Sequence, residues 1–298
     1  MAQQREPVGV IGTGLMGTAC AGRLRAAGHE VIGYDIDGRA LRRFEEAGGR
    51  AALSIAELAQ ACRHIMLAVL TTDQVEDTVE GPKGMLSVQP AHAAPLIVVC
   101  VSTCDPDRIA ALAARIPANR LHFVEAPISG TSDQTARGEG LGLIGGDVGA
   151  AHEARAILDA ICPRRRHLGA AGNGGRAKLA INLILGVNRA ALAEGLVFAE
   201  RMGLDPASFL AVARESAAYS QVMDVKGKKM VEGDFAPHGK ITQSLKDFAL
   251  MLEQATRHAQ HLPLAQTYAD LVTGCVAAGE GDWDNAAVIR EIRRRKIG

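Results

Sequence analysis

VGVIGTGLMG, residues Val8 to Gly17, sets an apolar run of strand length directly against the pattern G-x-G-x-x-G. A helical run from Leu15 to Ala27 follows, and then a second strand-like run, Glu30 to Tyr34, which ends in Asp35. Each glycine has a task in that setting. Gly12 allows a tight turn, Gly14 lets backbone approach a pyrophosphate, and Gly17 lets helix and strand pack closely. The unpaired N–H groups of the helix start would face the phosphates. A strand–turn–helix–strand unit carrying this motif predicts a dinucleotide-binding loop made of Gly12, Thr13, Gly14, Leu15, Met16 and Gly17. Asp35, 18 residues beyond Gly17, would accept hydrogen bonds from the adenosine ribose and repel an added phosphate, so NAD is favoured over NADP. Arg39, Arg42 and Arg43 lie just beyond and read either as an exposed helix face or as groups that soften that repulsion.

The same rhythm runs through the first half of the chain. Short apolar runs at 65–70, 96–101, 121–125 and 141–144 alternate with Ala-rich helical runs, which predicts strands of a parallel sheet covered on both faces. After about residue 168 it stops. Helical patterns fill the rest: Leu179 to Met202 ending at Gly203, then about Ser208 to Lys229, Lys240 to Gln260, Leu264 to Ala278 and Asp284 to Arg295. The expected architecture is an α/β Rossmann-type doubly wound domain over 1–168, followed by an all-α domain over 169–298 that begins with a long interdomain helix. A ligand site is expected in the cleft between them, where strand ends and helix converge.

With 298 residues, 33 basic and 33 acidic side chains balance, so no polyanionic partner such as nucleic acid is advertised. The clusters Arg164 to Arg166 and Arg293 to Lys296 read as solvated surface and tail. Six cysteines without framework spacing fit reduced, buried thiols and a cytoplasmic protein. Met1 to Pro7 is polar, unlike a signal peptide. No span reads as long enough to cross a bilayer, the best candidate from Leu179 being interrupted by Asn182, Asn188, Arg189 and Glu194. His258, His261 and Glu253 do not make a ligand pattern, so no metal is expected.

One apolar helix carries an anomaly. In GNGGRAKLAINLILG, Gly172 to Gly186, Lys178 and Asn182 stand four apart and therefore on one face. Spacing alone leaves two readings: a lysine that snorkels to water, or a desolvated amine able to exchange protons near neutral pH.

The pattern Gly169-x-x-Gly172-x-Gly174-x-x-x-Lys178-x-x-x-Asn182 resembles the catalytic segment of the β-hydroxyacid dehydrogenase family. Gly12 to His29 is similar to that family's N-terminal fingerprint, and Glu125 to Thr131, EAPISGT, to its substrate-binding segment. Ser102-Thr103 before Pro106 resembles its Ser-Thr loop near the nicotinamide ribose, and Lys246-Asp247 its late Lys-Asp pair. The resemblance implies that Lys178 is the general acid/base, that Asn182 orients substrate or lysine, and that Ser129, Gly130 and Thr131 hold the substrate carboxylate. It further implies cofactor contacts from Leu70, Thr71, Thr103 and Lys246, and a homodimer or homotetramer. Three positions depart from the family pattern: Thr71 stands for a usual proline, Thr131 for a second glycine, and Glu125 for an aspartate. Ile181 before the asparagine argues against the 6-phosphogluconate branch, which has histidine there. The expected reaction is hydride transfer between NAD and a small 3-hydroxy acid of the 3-hydroxyisobutyrate kind. The alternatives are an NADPH-dependent semialdehyde reductase of tartronate or succinic type and a catalytically silent dinucleotide-binding sensor.

Overall fold

The computed structural model describes residues 6–88 and 94–295; Met1 to Arg5 of the N-terminal reading and Lys296 of the basic tail lie outside them. In chain order the elements begin β1 (Val8–Ile11), α1 (Leu15–Ala26), β2 (Val31–Tyr34), α2 (Gly38–Glu46), β3 (Arg50–Ala51), α3 (Ile55–Ala61), β4 (His64–Leu67) and α4 (Thr72–Glu80). There follow β5 (Leu96–Cys100), α5 (Pro106–Arg115), β6 (Leu121–Glu125), β7 (Ile128–Ser129), α6 (Ser132–Ala136), β8 (Leu141–Ile144), α7 (Val148–Glu153), α8 (Arg155–Ile161) and β9 (Arg164–His167). The rest is helical: α9 (Asn173–Arg201), α10 (Pro206–Glu215), α11 (Lys228–Glu232), α12 (Ile241–Arg257), α13 (Pro263–Ala277) and α14 (Val288–Arg294). Two compact units result, Met1–Lys178 and Leu179–Gly298, and the division falls within α9 rather than before it.

In the first unit the strands pair in the order β3-β2-β1-β4-β5-β6, every pairing parallel. This is the Rossmann-type doubly wound sheet. Both faces are covered, which is why its strands read as continuous apolar runs. On β5, Ile97 and Val99 join α1 and α8 in one core, while Leu96, Val98 and Cys100 pack with α3, α4 and α5 in the other. The order reverses between β1 and β4, so the loop after Ile11 opens at the point where such sheets bind ligands.

Three details differ from the sequence-based expectation. Arg164 to Arg166, expected as solvated surface, also forms part of a strand not expected from the sequence, β9, which pairs parallel with β8 while β7 pairs antiparallel on β8's other side. Its side chains are mostly exposed, so the apolar pattern that announces a strand is missing. The helix expected from Ser208 to Lys229 is broken after Glu215. Ser216 takes extended geometry and its hydroxyl accepts the N–H of Ala218, diverting backbone from the helical ladder; a π-turn, Met223–Gly227, then leads into α11. Finally, α9 counted from Asn173 is long and apolar enough to cross a membrane by length and composition, which corrects the expectation that no span is. Asn182, Asn188, Arg189 and Glu194 interrupt its apolar run without outweighing it.

The second unit is built on a core from α9, α10, α12, α13 and α14, including Leu192, Leu196, Phe248, Met251, Tyr268, Val272 and Ile289. Gly186 admits Phe248 and Tyr268 against the α9 backbone, since a Cβ there would collide with the Phe248 ring. All six cysteines are buried and free.

Candidate active site

The glycine loop behaves as its spacing requires. Gly12 sits at φ +90°, where a side chain is strained, and a Cβ on Gly17 would strike the Gly12 carbonyl oxygen. Gly14 faces open space, with nothing within 4 Å of the place a Cβ would take. It is the N-cap of α1, no side chain caps that helix, and its first turn holds no acidic residue. Bare N–H groups, open space and a helix start together fit the pyrophosphate of a dinucleotide. Of the other loop positions, Leu15 is exposed, Met16 is half-buried and packs on the core, and Thr13 is buried.

Asp35 closes over this loop from the end of β2. Its Oδ2 accepts the Thr13 N–H at 2.6 Å and the Thr13 hydroxyl at 3.1 Å, while Oδ1 accepts the Asp37 N–H at 2.9 Å. The carboxylate is therefore fixed, half-buried, against the glycine loop. Arg39, Arg42 and Arg43 are exposed, and Arg39 lies beside Asp37.

Around the ends of β4 and β5, Thr71 caps α4. Its hydroxyl accepts the Gln74 N–H at 3.2 Å, and Gln74 Oε1 accepts the N–H groups of Thr71 and of the exposed Leu70. Ser102 donates its hydroxyl to the Val69 carbonyl at 2.7 Å, joining the loop after β4 to the loop after β5; Thr103 next to it is buried.

Lys178 is 7 % exposed, and its Nζ donates to the Ile128 carbonyl at 2.7 Å. The amine thus lies against the backbone carbonyl of Ile128, the residue that precedes Ser129 and Gly130. Ser129 and Gly130 are half-buried, and Gly130 takes φ +152°. Thr131 caps the next helix: its hydroxyl accepts the Gln134 N–H and its own N–H donates to Gln134 Oε1, a capping box that starts α6. Asn182, one turn beyond Lys178, donates Nδ2 to Asp247 Oδ2 at 2.9 Å, and Lys246 Nζ pairs with Asp247 Oδ1 at 2.9 Å. Lys246 and Asn182 are thus joined through one buried carboxylate that sequence reasoning had noted only as the second member of a pair.

Glu125 is the other residue whose task was not read from sequence. It stands in the segment assigned to substrate, yet its carboxylate is 2 % exposed and gathers backbone N–H groups. Oε2 accepts those of Gly172 and Gly174 at 2.9 and 3.1 Å, and Oε1 that of Gly175 at 2.8 Å. Burial pushes its pKa up to about 7, the three N–H donors pulling the other way. The signal was present in the chain: Gly172, before the helix, has no side chain to cap it, so its free N–H groups need a distant acceptor. Among the described residues no group of three or more His, Cys, Asp or Glu is gathered as a metal would need.

Residues 7–169 match the family model for the NAD-binding domain of 6-phosphogluconate dehydrogenase, and 172–292 the model for NAD-binding of NADP-dependent 3-hydroxyisobutyrate dehydrogenase. The chain is similar to an L-threonate dehydrogenase of Cupriavidus necator, 32% identical over 95% of both chains. It is also similar to a probable 3-hydroxyisobutyrate dehydrogenase-like protein of Arabidopsis thaliana, 31% identical over 96% of this chain and 93% of that one. A crystal structure of 3-hydroxyisobutyrate dehydrogenase from Salmonella typhimurium superposes with a TM-score of 0.86 at 27% identity, covering 96% of this chain and 99% of the other. With a dinucleotide loop at the switch point of a parallel sheet, a buried lysine at the head of the long helix, and both halves matched in order, the chain belongs to the β-hydroxyacid dehydrogenase family of NAD(P)-dependent oxidoreductases.

Proposed function

We propose that this enzyme transfers hydride between NAD and a small 3-hydroxy acid of the 3-hydroxyisobutyrate kind, with Lys178 as general acid/base. The observation that carries the reading is the buried Lys178 amine held 2.7 Å from the Ile128 carbonyl, beside Ser129 and Gly130. An aliphatic amine kept from water costs stability, and the carbonyl contact orients it beside the segment that the resemblance assigns to substrate. In the oxidation direction Lys178 takes the substrate hydroxyl proton as hydride leaves the same carbon. Bound nicotinamide supplies the hydride acceptor. Ser129 and Gly130 hold the carboxylate by hydrogen bonds. Asn182 has its amide fixed by Asp247 through Nδ2, which turns Oδ1 to the opposite side as an acceptor for substrate or lysine. Gly12 to Gly17, Leu70, Thr71, Thr103 and Lys246 contact the cofactor.

The fixed Asp35 carboxylate supports NAD. A second reading, an NADPH-dependent semialdehyde reductase, is favoured by the similarity of 172–292 to an NADP-dependent enzyme and by the exposed Arg39, Arg42 and Arg43. A homodimer or homotetramer is supported by Ile184, Phe198, Met202 and Val212, large apolar side chains left exposed in the second unit.

A spectrophotometric panel of 3-hydroxyisobutyrate, serine, threonate and short semialdehydes, run with NAD and NADP forms, tests the proposal. Lys178→Ala should lower turnover roughly 100- to 10,000-fold while leaving dinucleotide binding intact. Wild-type-like turnover by that variant removes the role from Lys178, and dinucleotide binding with no turnover of any member leaves the silent sensor.

A further inference from the structure

The carboxylate of Glu125 sits at the last residue of β6, and its own backbone is held on both sides: its N–H donates to the Gly145 carbonyl at 2.9 Å, and its carbonyl accepts the Gly145 N–H at 2.8 Å. From this fixed base the side chain reaches a pocket of glycines. A Cβ on Gly145, Gly174 or Gly175 would come within 2.5, 3.0 or 2.7 Å of a Glu125 carboxylate oxygen. The cage is closed on the carboxylate, and the three N–H groups it gathers, those of Gly172, Gly174 and Gly175, lie at the very start of α9. Three residues past Gly175 comes Lys178. Three residues past Glu125 comes Ile128, whose carbonyl receives the Lys178 amine. One short segment, 125–128, therefore grips the same stretch of helix twice, first at its backbone and then at its reactive side chain. Arg176, between them, adds an outer tether, donating to Asp107 at 2.8 Å and to Asn173 at 2.8 Å.

We propose that Glu125 is a positioning residue for proton transfer: its carboxylate sets the axial seat and rotation of the start of α9, and thereby holds the Lys178 amine in register with the Ile128 carbonyl. The claim rests on the reading of Lys178 as the acid/base. Position matters at this scale because a displacement of about 1 Å in a reacting group lowers rate on the order of 100-fold. Glutamine is the informative replacement. It keeps the shape, but one of its two terminal atoms becomes an NH2 that points donors at N–H donors, so only one side of the grip survives.

The test measures Glu125→Gln, Glu125→Asp and wild type three ways: amide hydrogen exchange over 172–178 by mass spectrometry, the acylation rate of Lys178 by trace acetic anhydride, and kcat, KM and dinucleotide Kd. Expected for the Gln variant is exchange over 172–178 faster by at least about tenfold, with the remainder of the first unit unchanged. Lys178 acylation should quicken, and kcat should fall by about 100-fold with KM and dinucleotide Kd little altered. Glu125→Asp, which keeps the charge but is one methylene short of the glycine cage, should fall between, and it carries the comparison if the Gln variant does not fold. Unchanged exchange over 172–178 overturns the proposal. Faster exchange with unchanged Lys178 acylation and kcat also overturns it, leaving a helix cap and nothing more. Should the wild type turn over no hydroxy acid, the role of Lys178 fails separately, and exchange with acylation still decides whether Glu125 seats the amine.

Discussion

Two carboxylates of this protein are used in opposite ways, and each makes a measurable difference as a single residue. Asp35 is half-exposed and pinned by Thr13 and by the Asp37 N–H, so it presents a fixed negative charge beside the glycine loop. Asp35→Ala removes that charge and exposes the loop to Arg39, Arg42 and Arg43. The ratio of kcat/KM for NAD to that for NADP should then fall by about tenfold or more, each factor of ten corresponding to about 1.4 kcal/mol of lost discrimination. An unaltered ratio would show that another group reads the ribose. Glu125, by contrast, is shut away, and the Arg176 guanidinium acts on it electrostatically. Its folded pKa of about 7 lies above the ordinary carboxylate value, so the folded state holds the proton more tightly than the unfolded chain. The stability this contributes is complete below about pH 4.5 and is lost as pH rises through about 7. Denaturant melts of wild type and Glu125→Gln across that range should diverge by at most about 3 kcal/mol, the wild type losing ground as pH rises and the difference levelling above neutrality. A pH-independent difference would place the titration elsewhere.

At the level of the element, α1 separates two demands that its glycines meet one at a time. Gly17 is required by the fold, because any Cβ strikes the Gly12 carbonyl, whereas Gly14 looks into open space. Gly17→Ala should lower the melting temperature and dinucleotide affinity together. Gly14→Ala should leave the melting temperature nearly unchanged, an N-cap Gly-to-Ala exchange costing at most about 1 kcal/mol, yet weaken dinucleotide binding by tenfold or more. Equal affinity for Gly14→Ala and wild type would mean that no phosphate approaches that backbone. The βαβ start was legible in the sequence because its constraints are local: a strand, a turn needing positive φ at Gly12 and a helix start lie within ten residues. Elements whose cause is remote were not. β9 carries Arg164, Arg165 and Arg166 toward solvent and is a strand only because β8 lies alongside. The break after Glu215 depends on a serine hydroxyl competing for backbone, which a helical period does not reveal. The same applies to the site. Lys178 and Asn182 stood out as polar residues on an apolar helix, but the acceptor of the Lys178 amine is a backbone carbonyl fifty positions away, and Thr131 and Thr71 proved to be helix caps.

Across the whole molecule, the two units carry different kinds of internal order. The first is a sheet with apolar layers on both faces, so its stability is spread over many interchangeable contacts. The second holds, besides its apolar core, a buried ion pair that composition and spacing gave no reason to expect. Lys226, in the π-turn, donates to both oxygens of Asp284 at 2.7 and 2.8 Å, and Asp284, fully buried, also accepts the N–H groups of His238 and Ala286. Burial drives the Lys226 pKa down to about 8. Burial acts on Asp284 in the opposite sense, yet Lys226 and the two N–H donors hold its carboxyl below the ordinary range. One carboxylate thus ties the π-turn, the chain entering α12 and the turn before α14 together at a single point. Removing one partner strands a charge without water, which typically costs about 3–5 kcal/mol. Asp284→Ala should be the more damaging change, because it strands the ammonium and leaves the His238 and Ala286 N–H groups unpaired as well. Lys226→Met keeps those two donors satisfied and should cost less. The double variant should be no worse than Asp284→Ala alone, since no buried charge remains to be compensated. A denaturation cycle over the four proteins checks all three statements, and single variants that each cost under about 1 kcal/mol would show the pair to be no more than a solvated surface bridge in energetic terms.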